Sequence, residues 1–286
     1  MQNIPRVSIA IIGGSSTMTE KFPDNYPGVE IISKGVEYDT PFGLSAPITH
    51  AKVNSREFLT VAFHGITSNI LNTVPNSAAE RLFYVLMKAG VKKIVSTATC
   101  GSTNRLLDPA DAIIPDGFVD YTTKRAQSLT KSLAAKGVRI EKVSFRLHQA
   151  FCPILSHSLY LNAKKSDFPR VFGRGVVGVS EGPRLESPDE VKLRYTNVGI
   201  DVVTMNLVPE VFFSREIGAC FATIDVVSNY GEGVVSTSWE GGLTFSEFQS
   251  NWGHTTAMVL LQTVAEMNPD DDSCGCSSHR WESTVN

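Results

Sequence analysis

The chain has 286 residues, 42% of them hydrophobic, and a formal net charge of −3, so it can bury one large core. Acidic and basic residues are mixed along it without a basic stripe, and we expect no nucleic-acid partner. No run of about 18 apolar residues occurs, which excludes a transmembrane helix, and the first residues lack a signal peptide's apolar segment. We therefore expect a cytoplasmic protein with no membrane partner.

The N-terminal part predicts a strand, a helix and a second strand. The apolar run Val7–Ile12 stops at Gly13-Gly14, which fits a buried strand ending in a tight turn. Ser77 and the glutamate three residues later form a capping-box pattern, and the helix that it opens ends at Gly90. Lys92–Thr97 has the composition of another buried strand. This order predicts a right-handed crossover in a largely parallel sheet.

The later segments continue the same alternation. Asp111–Val119 and Phe221–Val227 are β-branched and apolar, as buried strands are. Ser187–Glu190 starts a helix with a serine cap, a proline at the first position and acids in the first turn. Thr244 opens a last helix that runs to about Met267. We therefore predict an α/β protein with a mixed sheet flanked by helices.

The five cysteines fall into two groups. Three of them lie in apolar runs and are interpreted as buried thiols: Cys100, Cys152 and Cys220. Cys274 and Cys276 lie in a polar segment, where a C-x-C pair could bind a metal or close a strained disulfide, but two thiols alone are a weak zinc signal. We predict no metal site, one domain over residues 1–268 and a flexible tail over residues 269–286.

Ligands of open α/β sheets collect at the carboxyl ends of the strands, and four groups of loop residues follow strands here. They are Gly13-Gly14-Ser15-Ser16, Phe63-His64-Gly65, the small-residue loop Thr97–Ser102, and Glu181–Glu186 together with Met205-Asn206 and Ser228-Asn229. Small residues let backbone amides approach an anion, and hydroxyl groups add hydrogen-bond donors. These loops therefore predict a ligand site at one edge of the sheet.

Five motifs in a fixed order give the chain a specific resemblance. They are Ile11-Ile12-Gly13-Gly14, Asp39-Thr40-Pro41-Phe42-Gly43, Phe151-Cys152-Pro153, Glu181-Gly182-Pro183-Arg184 and Val208-Pro209-Glu210-Val211. In this order they resemble the methylthioadenosine phosphorylases and the trimeric purine nucleoside phosphorylases. The resemblance implies a homotrimer with a partly barrel-like sheet and active sites near subunit interfaces. It also implies cleavage of a purine nucleoside by inorganic phosphate into free base and ribose 1-phosphate, with no metal or organic cofactor.

The resemblance assigns a purine site. Asn229 stands where the family places an Asp or Asn at purine N7, and Glu186 where its 6-oxopurine enzymes place a glutamate that accepts from the ring NH. An amide can donate to N7 and O6, whereas adenine needs an acceptor for its amino group, so the pair indicates hypoxanthine or guanine. Met205 matches a methionine under the ribose, and Leu185 an apolar wall. The alternative is that Glu186 merely precedes a helix and Asn229 makes an ordinary turn.

The phosphate site matches the family poorly. The candidate residues for the phosphate or nucleophile site are Ser15, Phe63, His64, Thr99 and Asn206. Phe63 stands at the position where the family has an arginine before the histidine. Ile66 and Ser68 stand at the positions of two later basic residues of the family. The threonine that the family has in the small-residue loop corresponds to Ala98 here, unless the alignment shifts by one residue and Thr97 or Thr99 takes its place. A phenylalanine cannot replace a bidentate arginine contact, which is worth about 1.5–3 kcal/mol per charged hydrogen bond.

Three functions follow from this mixed match. The first is phosphorolysis of a 6-oxopurine or 5′-modified nucleoside such as inosine, guanosine or methylthioinosine, with Asn229 and His64 as catalytic candidates. The second is hydrolysis, with water in place of phosphate and His64 or Asp225 as the base. The third is a non-catalytic relative that binds nucleosides.

In the family, a neighbouring subunit completes the part of the pocket that holds the 5′ end of the substrate. It does so with the segment that precedes the Phe-Cys-Pro motif. Here that segment contains Arg146 and His148. These two side chains could face a polar or anionic 5′ group, which would point away from a methylthio substituent. The alternative is an exposed arginine and a structural histidine.

Overall fold

The computed structural model describes residues 3–14, 17, 22–64, 78–236 and 245–283. The strands are β1 Ile9–Gly13, β2 Val29–Val36, β3 Asp39–Thr40, β4 Gly43–Leu44, β5 Ile48–Val53, β6 Arg56–Ala62, β7 Lys93–Ser102, β8 Ala112–Ile113, β9 Gly117–Asp120, β10 Lys142–Phe145, β11 Val171–Phe172, β12 Val176–Val179, β13 Val202–Thr204, β14 Cys220–Tyr230 and β15 Arg280–Ser283. The helices are α1 Ala78–Ala89, α2 Leu129–Ala135, α3 Pro153–Lys164, α4 Pro188–Val198, α5 Glu210–Glu216 and α6 Phe245–Glu266, with a short 3₁₀ helix at Cys276–His279.

A mixed sheet with β7 at its centre organises the molecule. Its strands follow the order β11-β8-β14-β7-β1-β6-β5-β2, and β13, β12 and β9 form a branch from β7. β1 and β14 run parallel to β7 on its two edges, which confirms the predicted parallel core. Among the described residues the sheet keeps free ends at β11, β2 and β9, so the partly barrel-like arrangement does not close into a barrel.

β7 changes partners along its length. Residues 93–96 pair with β1, whereas Gly101 and Ser102 pair with β13, which runs antiparallel to β7 on the same edge. β14 follows β7 along the other edge, from Cys220 to Tyr230. The edge is therefore split beyond Ser96, and loops from β1 and β6 meet the middle of β7 at this split.

The two faces of the sheet carry separate cores because side chains alternate along a buried strand. In β1, Ala10 and Ile12 belong to a core that includes residues of α1, α2 and α5. Ile9 and Ile11 belong to a core that includes residues of α3 and α6. Helices thus cover both faces, which confirms the predicted α/β architecture. None of the helices in the described part of the chain is long and apolar enough to cross a membrane.

The predicted helix boundaries match the structure where it describes them. Ser187 Oγ accepts a hydrogen bond from the Glu190 amide, and the Glu190 carboxylate accepts one from the Ser187 amide. The same helix, α4, ends at Gly199 in the left-handed region at φ 73°. α6 ends at Glu266, next to the expected Met267. Ser77 and Thr244, the predicted caps of α1 and α6, lie outside the described residues.

The C-terminal segment differs from the flexible tail that we predicted for residues 269–286. β15 pairs antiparallel with β10, so that Trp281 lies opposite Ser144, and both Cys274 and Cys276 are buried. The segment is polar in sequence, but its two thiols and its strand edge find partners far away in the chain. Residues 284–286 lie outside the described part.

Candidate active site

The loop after β1 lies directly on the backbone of β7. A Cβ atom on Gly14 would overlap with the Thr97 carbonyl oxygen, so only glycine allows this approach. Gly13 O accepts hydrogen bonds from the amides of Phe63 and His64, at 3.1 and 3.4 Å. The loops after β1 and β6 and the middle of β7 therefore converge, as the sequence predicted. Ser15, Ile66 and Ser68 lie outside the described residues.

A buried histidine–carboxylate pair occupies this convergence. His64 Nε2 lies 2.9 Å from Glu210 Oε1, and the two side chains are 1% and 0% exposed. At this distance the two groups form an ion pair whenever the imidazole is protonated. Burial by itself raises the pKa of Glu210, but His64, a backbone hydrogen bond and the charge of Arg125 together outweigh it, and the pKa is lowered. Glu210 is thus held as a carboxylate beside the imidazole, and sequence analysis had seen it only as part of a motif.

Phe63 packs into the core instead of presenting charge to the site. Its side chain is fully buried, and its ring meets the His64 ring edge to face with centroids 5.1 Å apart. The position where the family carries an arginine therefore contributes apolar surface, as the sequence indicated.

Some polar atoms near these loops are buried without a hydrogen-bond partner in the described part of the chain. They include His64 Nδ1, Asn206 Oδ1 and Glu210 Oε2. Asn206 follows β13, where its amide donates to Thr204 Oγ1 at 3.3 Å and Thr204 Oγ1 in turn donates to the carbonyl of Thr99. A buried unsatisfied polar atom costs about 1–3 kcal/mol. Such atoms indicate that a ligand or water completes the site.

Glu186 is buried before α4, but part of its carboxylate is already occupied. Oε1 accepts from Arg194 Nη1 at 2.7 Å and from the hydroxyl of Ser180. Arg194 also stacks on the Tyr121 ring, with its guanidinium carbon 4.3 Å from the ring centroid. Sequence analysis missed Arg194. Its position about two turns into α4, the helix that Glu186 precedes, could have indicated a contact between the two side chains. These contacts engage Oε1 and leave Oε2 for a further partner.

Asn229 sits at a β-bulge near the end of β14. The pairing of β14 with β7 shifts between Val227 and Asn229, and a bulge of this kind turns a side chain away from its regular direction. Asn229 Oδ1 accepts from Ser228 Oγ at 2.7 Å, and its Nδ2 donates to the Tyr230 carbonyl at 2.8 Å. The described hydrogen bonds of Asn229 and Glu186 do not link the two residues to each other.

The remaining candidates have different surroundings. Met205 is half-buried just after β13, while Leu185 is 55% exposed before α4. Arg146 Nε donates to His279 Nδ1 at 3.0 Å, and His148 packs edge to face on the same His279 ring. Arg146 and His148 are therefore held by the C-terminal segment of their own chain. A cavity of about 600 Å³ opens beside His148.

Asp225 and Arg125 are two titratable side chains near the site, the first fully buried and the second partly buried. Asp225 lies within β14, fully buried, where its Oδ1 accepts from Thr223 at 2.8 Å and its Oδ2 has no partner in the described ranges. Arg125 donates to the carbonyls of Ser180, Glu181 and Val208. Arg125 thus ties together the loops that lead into α4 and α5. Nothing in its polar sequence surroundings signalled this role.

Comparison with known proteins gives a consistent family match. The model of the phosphorylase superfamily matches residues 8–265. The chain is 31% identical to a probable 6-oxopurine nucleoside phosphorylase of Dictyoglomus turgidum, over 94% of this chain and 95% of that protein. It is 30% identical to an S-methyl-5′-thioadenosine phosphorylase of Aedes aegypti, with 92% and 91% covered. The fold is similar to that of methylthioadenosine phosphorylase from Schistosoma mansoni in complex with adenine, with a TM-score of 0.76, 22% identity and 96% of each chain covered.

Proposed function

The chain belongs to the phosphorylase superfamily, and from this membership we propose that it cleaves the N-glycosidic bond of a 6-oxopurine nucleoside with inorganic phosphate. The observation that carries the proposal is the presence of buried polar atoms without a described partner, His64 Nδ1 and Asn206 Oδ1 among them, in the loops that the resemblance assigns to the nucleophile. Relatives named for 6-oxopurine substrates support the same class of base. The reaction needs no metal or organic cofactor.

The proposed base site uses Asn229 and Glu186. The bond breaks through an oxocarbenium-like state, and negative charge flows into the purine. Asn229 Nδ2 leaves the Tyr230 carbonyl and donates to N7, which stabilises the leaving base. Glu186 Oε2 accepts from the ring NH while Arg194 keeps Oε1 in place. Met205 lies under the ribose and Leu185 covers the base, so that the exposed leucine becomes buried on binding.

The proposed phosphate site relies on neutral donors. Ser15 and Thr99 supply hydroxyl donors, Asn206 supplies its Nδ2 because its Oδ1 can only accept, and His64 contributes its ring. The acid Glu210 next to His64 offsets the charge of a protonated imidazole, and no guanidinium is present at position 63. Phosphate therefore binds more weakly than in an arginine-containing site, because neutral hydrogen bonds contribute about half as much as charged ones.

Hydrolysis is the second candidate function, and the His64–Glu210 pair is the observation that favours it. A carboxylate that orients a histidine is an arrangement for accepting a proton from water. Asp225 is the weaker candidate for this base because its carboxyl group is fully buried inside strand β14.

A homotrimer is part of the proposal. In it, the segment with Arg146 and His148 reaches the 5′ end of the substrate in a neighbouring subunit. The exposure of both side chains on one monomer and the cavity of about 600 Å³ beside His148 support this role.

A direct assay separates the candidates. Inosine, guanosine and methylthioinosine are incubated with the protein with and without phosphate, and free base is measured by chromatography. We expect base and ribose 1-phosphate only when phosphate is present. Equal release of free base without phosphate would support hydrolysis. If calorimetry detects nucleoside binding but no turnover occurs, the hypothesis of a non-catalytic relative is the one that remains.

The role of His64 is tested with a matched variant. His64→Ala lowers kcat/KM by about 10²- to 10⁴-fold, the usual contribution of a positioned acid or base. His254→Ala, which removes an exposed histidine of α6, keeps wild-type kinetics. If His64→Ala also keeps them, the histidine is structural and the assigned nucleophile site is wrong.

A further inference from the structure

Four of the five cysteines meet in one buried cluster at the amino-terminal end of β14. Cys152 caps α3, Cys220 is the first residue of β14, Cys274 lies just before the 3₁₀ helix and Cys276 is its first residue. Their four Sγ atoms lie within 4.8 Å of one another. All of these thiols are buried, and the proposed reaction uses none of them.

We propose that this four-cysteine cluster binds one structural Zn²⁺ ion. Zinc binds thiolate sulfur at about 2.3 Å, and a tetrahedron with this bond length has sulfur–sulfur edges of about 3.8 Å. The sulfurs of Cys220 and Cys274 already lie 3.5 Å apart, and the whole set, within 4.8 Å of one another, reaches the tetrahedral spacing with shifts of at most about 1 Å. Four protein sulfurs complete the coordination shell, which is the arrangement of structural zinc sites.

Two buried cations border the cluster and support thiolate ligands. Lys93 is 5% exposed, and its Nζ lies 3.3 Å from Cys220 Sγ and donates to the Asp271 carbonyl at 2.5 Å. Arg215 is 4% exposed and donates to the Cys276 carbonyl at 2.7 Å. A zinc ion with four thiolates carries a net charge of −2. The buried ammonium and guanidinium compensate that charge, whereas four neutral thiols would leave both cations without a counter-charge in the cluster.

Zinc would fasten the end of the chain to the central sheet. The metal joins the start of α3, the start of β14 and the segment 274–276, and the adjoining 3₁₀ helix and β15 then hold Arg146 through His279. Binding converts four thiols to thiolates and releases their protons to solvent. The ligands are separated by 68 and 54 positions between Cys152, Cys220 and Cys274, which is why the C-x-C pair alone gave a weak signal.

The metal content of the full-length protein tests the proposal. The protein is produced with zinc in the medium, purified under reducing conditions without chelator, and analysed by plasma mass spectrometry. We expect about one zinc per chain. Cys276→Ser loses most of the metal, whereas Cys100→Ser, which removes the one cysteine outside the cluster, retains it.

Cobalt substitution keeps the test decisive if Cys276→Ser does not fold. Wild-type protein stripped of metal and loaded with Co²⁺ is expected to show thiolate-to-cobalt charge transfer and intense tetrahedral d–d bands. Wild-type protein without metal and without these bands would overturn the proposal. It would also be overturned by iron in place of zinc, or by peptide mapping that finds the four sulfurs paired as disulfides in freshly isolated protein.

Discussion

At the scale of single residues, the converging loops hold a charge arrangement of their own. Phe63 is fully buried, while His64 and Glu210 form a buried contact at 2.9 Å. A neutral imidazole adds no positive charge and a protonated one is offset by Glu210, so in either state the pair attracts an anion less than a lone guanidinium does. The site is therefore built to orient a histidine rather than to concentrate positive charge.

Asp225 gives the first prediction at this scale. Burial raises its pKa to about 7, even though the Thr223 hydroxyl opposes the shift, whereas an unfolded aspartate titrates near about 3.9. Between these values the unfolded chain has lost the proton and the folded protein keeps it. The free energy of unfolding therefore falls as the pH rises through this window, by at most about 1.4 kcal/mol per pH unit.

Asp225→Asn removes this pH dependence while it keeps an oxygen for Thr223. We expect the stability of the variant relative to wild type to increase from about pH 5 to about pH 8, as measured by urea unfolding at several pH values. Asp39→Asn, at an exposed position in β3, is the control and follows wild type throughout. A constant difference between Asp225→Asn and wild type would show that Asp225 is ionised in the folded protein.

The candidate residues were found from sequence more readily than their contacts. The Gly13-Gly14 turn, His64 and Asn206 lie at the strand ends where local patterns placed them. The pairing of Glu186 with Arg194 and the bulge at Asn229 depend on neighbours brought together by folding. Local sequence therefore indicates where polar side chains leave the sheet, but not which of them are already bound to each other.

At the scale of secondary structure, α4 shows how strong a local signal can be. Its serine cap, its reciprocal Glu190 contact and its left-handed Gly199 are all present as the sequence indicated. β7 shows the opposite case, because its change of partner from β1 to β13 joins residues about 100 positions apart. The docked end of the chain, with β15 on β10, is non-local in the same way.

The cap of α4 supports a prediction at this scale. Ser187→Ala leaves the Glu190 amide without its acceptor, and we expect a loss of about 1 kcal/mol in the free energy of unfolding. Ser158→Ala makes the same chemical change inside α3 and is expected to leave stability unchanged or slightly higher. Chemical denaturation of both variants measures the difference. Equal stabilities would mean that the cap contributes nothing here.

At the scale of the whole molecule, five motifs in a fixed order identified the family and its fold, although they lie in different places: Gly13 ends β1, whereas Cys152 contacts the start of β14. The assembly is a different matter, since an interface depends on surfaces that no motif reports. The proposed homotrimer predicts a mass in light scattering of three times that of the chain. It also predicts that each active site combines residues of two subunits.

Mixed assemblies test that combination. His64→Ala inactivates a chain's own site, whereas Arg146→Ala combined with His148→Ala removes what the chain gives to its neighbour. When the two variants are co-expressed and assemble at random, about a quarter of the sites pair an intact His64 with an intact neighbouring segment. We therefore expect about a quarter of wild-type activity on inosine from two variants that are each nearly inactive alone. If Arg146 and His148 served their own subunit, every site would lack one of the two parts, and the mixture would stay as inactive as its components.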